Sequence, residues 1–172
     1  YDDDPALDWP AAADGGGASL VRIAPEDTGR DPGIGGNWRP SFSPSPGTDD
    51  RVTYTAWLGA TPEGDGDGDG LDTLAEYALG GDPAADSSSR VPVGAFTDVD
   101  GATFATLTFR RVAAHEDVSR HVEFSATLAT WDVPAVLVSA TWNPDGTRTE
   151  VWRATTPLSE ATRLFGRVRF MR

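Results

Sequence analysis

At residue 91 the hydrophobic period of this chain changes to two, and that change decides most of what it can fold into. Ala105, Leu107 and Phe109 alternate with Thr106, Thr108 and Arg110, and Val136, Val138, Ala140 and Trp142 alternate with Leu137, Ser139 and Thr141. Leu164, Val168 and Phe170 alternate with Arg163, Arg167 and Arg169. Such alternation puts one set of side chains on each face of a strand. Asn143-Pro-Asp-Gly146 is a turn with a mechanism: Pro144 fixes φ and Gly146 accepts a positive φ. Strands recurring about every ten residues predict a small antiparallel sandwich of the fibronectin or immunoglobulin kind over residues 91–172. The arginines of the last strand read as ordinary solvation. With 19 Gly and 13 Pro among 172 residues, composition also favours a β-rich, loop-rich build. There is no cysteine, so neither disulfides nor thiol chemistry enter.

The front half has a different texture. Residues 1–50 are rich in Asp, Gly and Pro, and only residues 19–23, starting at Ser19, read as a strand. Residues 41–47, with Pro44 and Pro46, read as a stiff extended connector. Trp9, Leu20, Val21, Ile23, Ile34 and Trp38 are too apolar for a free tail, yet one strand cannot bury them. The segment is therefore expected to complete a sandwich with another domain or another chain. Residues 51–90 read as a helix–loop–helix connector. "RVTYTAWLGA" (51–60) is a short helix candidate ended by Pro62 and Gly64. Leu71, Leu74, Ala75, Ala78 and Leu79 form an apolar stripe of helical spacing, with Gly80 placed for a left-handed cap and Pro83 forbidding continuation.

Charge divides the same way. Residues 1–100 carry a net −15 and residues 101–172 a net +2, and every basic residue is Arg. The acidic front argues against nucleic acid, whose phosphates it would repel, and suits a protein that meets divalent cations. No run is long and apolar enough for a membrane-spanning helix. The chain begins at Tyr1 rather than Met, which is expected of a processed product or part of a longer protein.

The connector holds the chemistry. In "GDGDGDGLDTLAEYALGGDP" (64–83), Asp65, Asp67 and Asp69 occupy positions 1, 3 and 5 of a D-x-[DN]-x-[DN]-G-x₅-E calcium loop, with Gly70 at 6 and Glu76 at 12. Alternating carboxylates on a curled backbone point at one hard cation, and Gly70 allows the turn. Leu71 is expected to offer its carbonyl, Thr73 its hydroxyl directly or through water, and Glu76 both carboxylate oxygens. The competing reading is a solvated acidic linker. Only one register works, however, because starting at Glu63 would put Leu74 in the closing position. Asp72 stands where a paired loop needs an apolar residue, and the chain has no second loop. The expectation is a lone structural site rather than a sensor, binding at about 10⁻⁴ to 10⁻³ M as in extracellular modules.

Other signals are set aside. His115, Glu116, Asp117 and His121 do not make H-E-x-x-H, since position 119 is Ser119, and they read as loop polarity. "GIGG" (33–36) has no following Lys or helix to make a phosphate cradle. No G-x-S-x-G surrounds Ser41, Ser43 or Ser45. Asp2, Asp3 and Asp4 read as a solvated edge, the alternative being a second, weaker cation site; Asp82 is a further candidate for such a role. The six Trp (9, 38, 57, 131, 142, 152) read as packing, with a sugar-stacking platform as the alternative.

These residues together resemble the C-terminal part of secreted bacterial proteins with a lamin-tail domain. "YDDDPALDWPAAADGGGASLVRI…NWRPSFSPSPG" is similar to the closing stretch of that immunoglobulin-like sandwich, and the calcium-loop segment follows it. "HVEFSATLATW…RLFGRVRFMR" resembles the terminal β-domain of such proteins, with Ser125, Leu128 and Trp131 in a recurring turn. Only the last third of a lamin-tail domain is present. The resemblance implies secretion and a surface or matrix role, without catalysis. The expectation is thus a calcium-stabilised, extracellular or cell-surface, structural or adhesive β-protein. It is expected to self-associate by strand addition at residues 19–23 or by head-to-tail contact, as a ring or filament. The alternatives are an accessory C-terminal module of a larger secreted enzyme, or a carbohydrate-binding module.

Overall fold

In the computed structural model, which describes residues 7–41, 51–161 and 163–172, the chain is mainly β. The acidic run at residues 2–4 and most of the proline-rich connector lie outside the described residues. Strand β1 (Ser19–Arg22) pairs antiparallel with β2 (Trp38–Ser41), with Leu20 opposite Pro40 and Arg22 opposite Trp38. The sequence offered one strand here; the second was hidden because Pro40 interrupts it, and proline is tolerated only at a sheet edge. β1 therefore finds its first partner inside its own chain.

Two short helices follow. Helix α1 (Tyr54–Leu58) starts at Thr53, whose hydroxyl accepts from the Ala56 N–H. Helix α2 (Thr73–Leu79) starts at Asp72, whose carboxylate accepts from the Ala75 N–H at 2.8 Å. It ends at Gly80 in the left-handed region, φ 77°, as the spacing predicts. The first residue of the apolar stripe, Leu71, belongs to the loop, and Asp72 is the cap.

The remaining strands are β3 (Val93–Val99), β4 (Ala102–Val112), β5 (Ser119–Ser125), β6 (Val133–Trp142), β7 (Thr147–Pro157) and β8 (Phe165–Met171). They run antiparallel in the order β3-β4-β7-β6-β5-β8. β6 is the corner. Its first residues pair with β5 (Pro134 with Glu123), and the rest pairs with β7, with a register slip between Leu137 and Ser139. That position explains why its alternation does not resolve into one buried face: Val136, Leu137 and Val138 are all exposed. In β4 Ala105, Leu107 and Phe109 are all buried as the alternation predicts, although Thr106 between them is buried as well.

Folding the sheet over brings two apolar clusters together. One joins Ala105, Leu107, Phe124 and Ala154, flanked by Val122, Val133, Ala135, Leu164 and Val168. The other joins Leu71 and Leu79 of the connector to Phe109, flanked by Val168 and Phe170. The connector thus supplies part of the core of the β-rich region. The front segment docks there too. Arg39 and Glu116 form a buried ion pair at 3.0 Å, and the Ala24 N–H donates to the other Glu116 oxygen at 2.8 Å. At the far end Arg148 donates to the Asp8 carboxylate at 2.6 Å. Of the segment's large apolar residues Trp9 is buried while Ile34 stays 53 % exposed, and the bonds that hold the segment to this chain's own strands are polar.

Candidate metal centre

The acidic loop curls because its carboxylates accept from its own backbone. Asp65 accepts from the N–H groups of Gly68 (2.8 Å) and Gly70 (3.1 Å), and Asp67 from that of Asp69 (3.2 Å). Asp69 accepts from Leu71 at 2.8 Å with one oxygen and from Ser87 at 2.5 Å with the other. Gly70, at φ 91°, turns the chain as only glycine does readily. The result gathers oxygens of Asp65, Asp67 and Asp69 within 4.8 Å of one another. Three like charges so close repel, at about 1 kcal/mol per pair even in water.

Glu76, in the first turn of α2, lies near enough to feel these charges but is not among the carboxylates whose oxygens gather within 4.8 Å. Its side chain is 1 % exposed, and its Oε1 is buried with no hydrogen-bond partner. Burial first, then the charges of Asp67, Asp69, Asp82 and Asp65, push its carboxyl up from 4.5 to about 7. A buried carboxylate without a donor is costly. It becomes favourable only when protonated or when a cation stands among these oxygens.

The other two expected ligands divide. Leu71 sends its side chain into the second apolar cluster, leaving its backbone to the loop. The Thr73 hydroxyl lies 2.9 Å from the Tyr54 hydroxyl and accepts from the Gly64 N–H at 3.3 Å. A small hydroxyl buried between two partners holds the loop's base to α1.

Sequence pattern offers Asp82 only as a further candidate and does not point to Ser87. The segment after Gly80 folds back, so that Asp82 donates its N–H to the Ser87 hydroxyl at 2.9 Å and Ser87 grips Asp69. Gly81 permits this approach, because a Cβ there would lie 2.8 Å from the Ser87 hydroxyl. Asp82 adds a fourth aspartate to the field acting on Glu76. The signal is the Asp82-Pro83 pair two positions past the Gly80 cap.

Comparison with protein-family models, curated proteins and solved structures finds no match for this chain. His115, Glu116 and Asp117, read from sequence as loop polarity, are a docking hub. The ring of His115 stacks on Tyr77 at 3.8 Å and its Nδ1 bonds the Tyr77 carbonyl at 2.6 Å. Burial holds this histidine below its ordinary range, although the carbonyl pulls the other way. Asp117 accepts from the Tyr54 N–H at 2.8 Å and from the Tyr77 hydroxyl at 2.6 Å.

The tryptophans are engaged in packing. Trp9 is buried beside Trp38, Trp57 lies against Tyr54 and Tyr77, and Trp131 lies under Arg167. Trp142 carries the Arg148 guanidinium 4.8 Å above its ring, and Trp152 donates to Glu150 at 2.9 Å. Glu150 itself is fully buried. Burial alone would raise its carboxyl, but Arg111 and Arg120, at 2.7 and 2.6 Å, hold it below its ordinary value.

Proposed function

We propose that this protein is a non-catalytic structural or adhesive module that works outside the cell and is stabilised by one calcium ion. Asp65, Asp67, Asp69 and Glu76 hold the ion, joined by the backbone of Leu71. The observation that carries this reading is the Glu76 carboxylate: buried, without a partner on Oε1, and set among four aspartates. A solvated linker would leave its glutamate in water. Oxygen-only ligands suit a hard cation, and the uneven, flexible ligand set suits calcium better than octahedral magnesium. A lone site of this kind, filled at extracellular calcium levels, fits the surface role implied by the lamin-tail resemblance. The other titratable clusters, around Asp117 and Glu150, meet partners that dock or pack the fold, which supports structure rather than catalysis.

The test is a pair of thermal melts, with millimolar calcium and with chelator. At a dissociation constant of about 10⁻⁴ to 10⁻³ M, calcium should add roughly 0.4 to 1.4 kcal/mol. Glu76→Gln should remain folded and lose that response. A wild-type melt indifferent to chelation ends the calcium reading.

A further inference from the structure

We propose that β3 is a self-complementary edge through which two copies of this chain pair, antiparallel, about a two-fold axis at Phe96. Among the described residues β3 is hydrogen-bonded to β4 on one side only and stands at the end of the strand order. Its ladder with β4 is unbroken from Val93–Thr108 to Val99–Ala102, so no bulge twists it away. Its apolar side chains face solvent: Val93 is 63 % exposed and Phe96 69 %.

Edges exposed to solvent are normally blunted by charge, proline or cover. The opposite edge, β8, follows that rule: it carries Arg167 and Arg169, and the apolar residues of the connector pack on Val168 and Phe170. β3, reading V-G-A-F-T-D-V, has no proline and no basic residue. Its one charge, Asp98, accepts from the Thr103 hydroxyl at 2.6 Å. An open, regular, apolar edge left unguarded is a template for another strand.

The sequence of the strand identifies that partner as a second copy. Antiparallel pairing centred on Phe96 sets Val93 against Val99, Ala95 against Thr97, Gly94 against Asp98, and Phe96 against itself. Every opposed pair is apolar or small with polar, and no like charges meet. Cross-strand neighbours stand about 4.5 to 5.5 Å apart, the range in which aromatic pairs contribute. Phe96 lies in the same row as Ala105, which belongs to the first apolar cluster, so the pairing would continue a core row across the axis. Charge at the ends agrees. Arg90 precedes the strand while Asp98 and Asp100 lie at its other end, and the two-fold brings each copy's Arg90 toward its partner's acidic end. A two-fold contact is closed, which produces a dimer and not a filament.

The experiment is sedimentation of the full chain over a range of concentrations, in calcium and in chelator. The wild type should dimerise in both, which separates this inference from the calcium reading. Phe96→Glu and Phe96→Arg should each keep the fold by circular dichroism, because the side chain is exposed. Each should weaken dimerisation by at least about a hundredfold, since like charges then face each other on the axis. An equimolar mixture of the two should dimerise again. A monomeric wild type overturns the proposal, as does a Phe96→Glu dimer of undiminished affinity. So does a mixture that stays monomeric.

Discussion

The hydroxyl of Tyr77 donates to the Asp117 carboxylate across 2.6 Å, tying helix α2 to the loop between β4 and β5. The same hydroxyl sits against the Val52 carbonyl, and the other Asp117 oxygen accepts from the N–H of Tyr54. Burial, and then this hydrogen bond to Asp117, raise the Tyr77 phenol above its ordinary value, so it stays a donor. Glu76 precedes Tyr77 in the same helix. One turn of α2 therefore faces the acidic loop with one residue and the β-rich region with the next.

Tyr77→Phe should remove the donor while leaving the ring stacked on His115. A charged acceptor would lose one of its partners in a half-buried place, a loss of about 1 to 3 kcal/mol. Urea denaturation should show that decrease with an unchanged slope. A loss under a few tenths would mean the hydroxyl is replaced without cost by water.

Calcium binding should depend on pH through Glu76. The folded, calcium-free carboxyl titrates at about 7 instead of 4.5. Because the folded value is raised, this group stabilises the calcium-free protein below pH 4.5, and that contribution is lost as pH rises through about 7. In chelator, Glu76→Gln should therefore match the wild type near pH 5 and exceed it near pH 8. Calcium must displace the proton below pH 7, so apparent affinity should fall about tenfold per pH unit there and level off above it. Calorimetric titration at several pH values checks both limbs.

How much of this was legible beforehand depended on whether the signal was local. The strands around Leu107 and Phe109, the cap at Gly80 and the cluster of Asp65, Asp67 and Asp69 all follow from spacing within a dozen residues. The partners of Glu116 and Asp117 lie 40 to 92 positions away, and no period or motif reports such pairings. Thr73 shows the limit from the other direction. A twelve-position pattern assigns it to the ion, but Tyr54, 19 residues earlier, competes for the same hydroxyl. Pro40 hid a strand, because local propensity cannot see that an edge position needs no donor on its open side.

Glu116 should control the docking of the front segment. It receives Arg39 and the Ala24 N–H on its two oxygens, and both members of the ion pair are buried. Removing one member of such a pair costs about 3 to 5 kcal/mol. Glu116→Ala should therefore free residues 7–41 for proteolysis while the strands from β3 to β8 stay protected. Hydrogen exchange would show this directly. Uniform loss of protection throughout would mean that front segment and sheet unfold as one unit.

The boundary near residue 90 can be tested by truncation. Alternating strands suggest that residues 91–172 form a complete sandwich, and the cluster of Ala105, Leu107, Phe124 and Ala154 lies entirely within them. The second cluster does not. Phe109 and its neighbours Val168 and Phe170 are covered by Leu71 and Leu79, which a cut at 90 removes. Each lost leucine forgoes roughly 1.5 to 3 kcal/mol of burial, a large share of the stability of a small domain, about 5 to 15 kcal/mol. The 91–172 fragment should fold cooperatively only at lower temperature and bind a dye for exposed apolar surface. A fragment covering 51–172 should restore the higher transition and respond to calcium. Equal melting of the two fragments would show that the connector only leans on the sheet and that its leucines contribute no stability there.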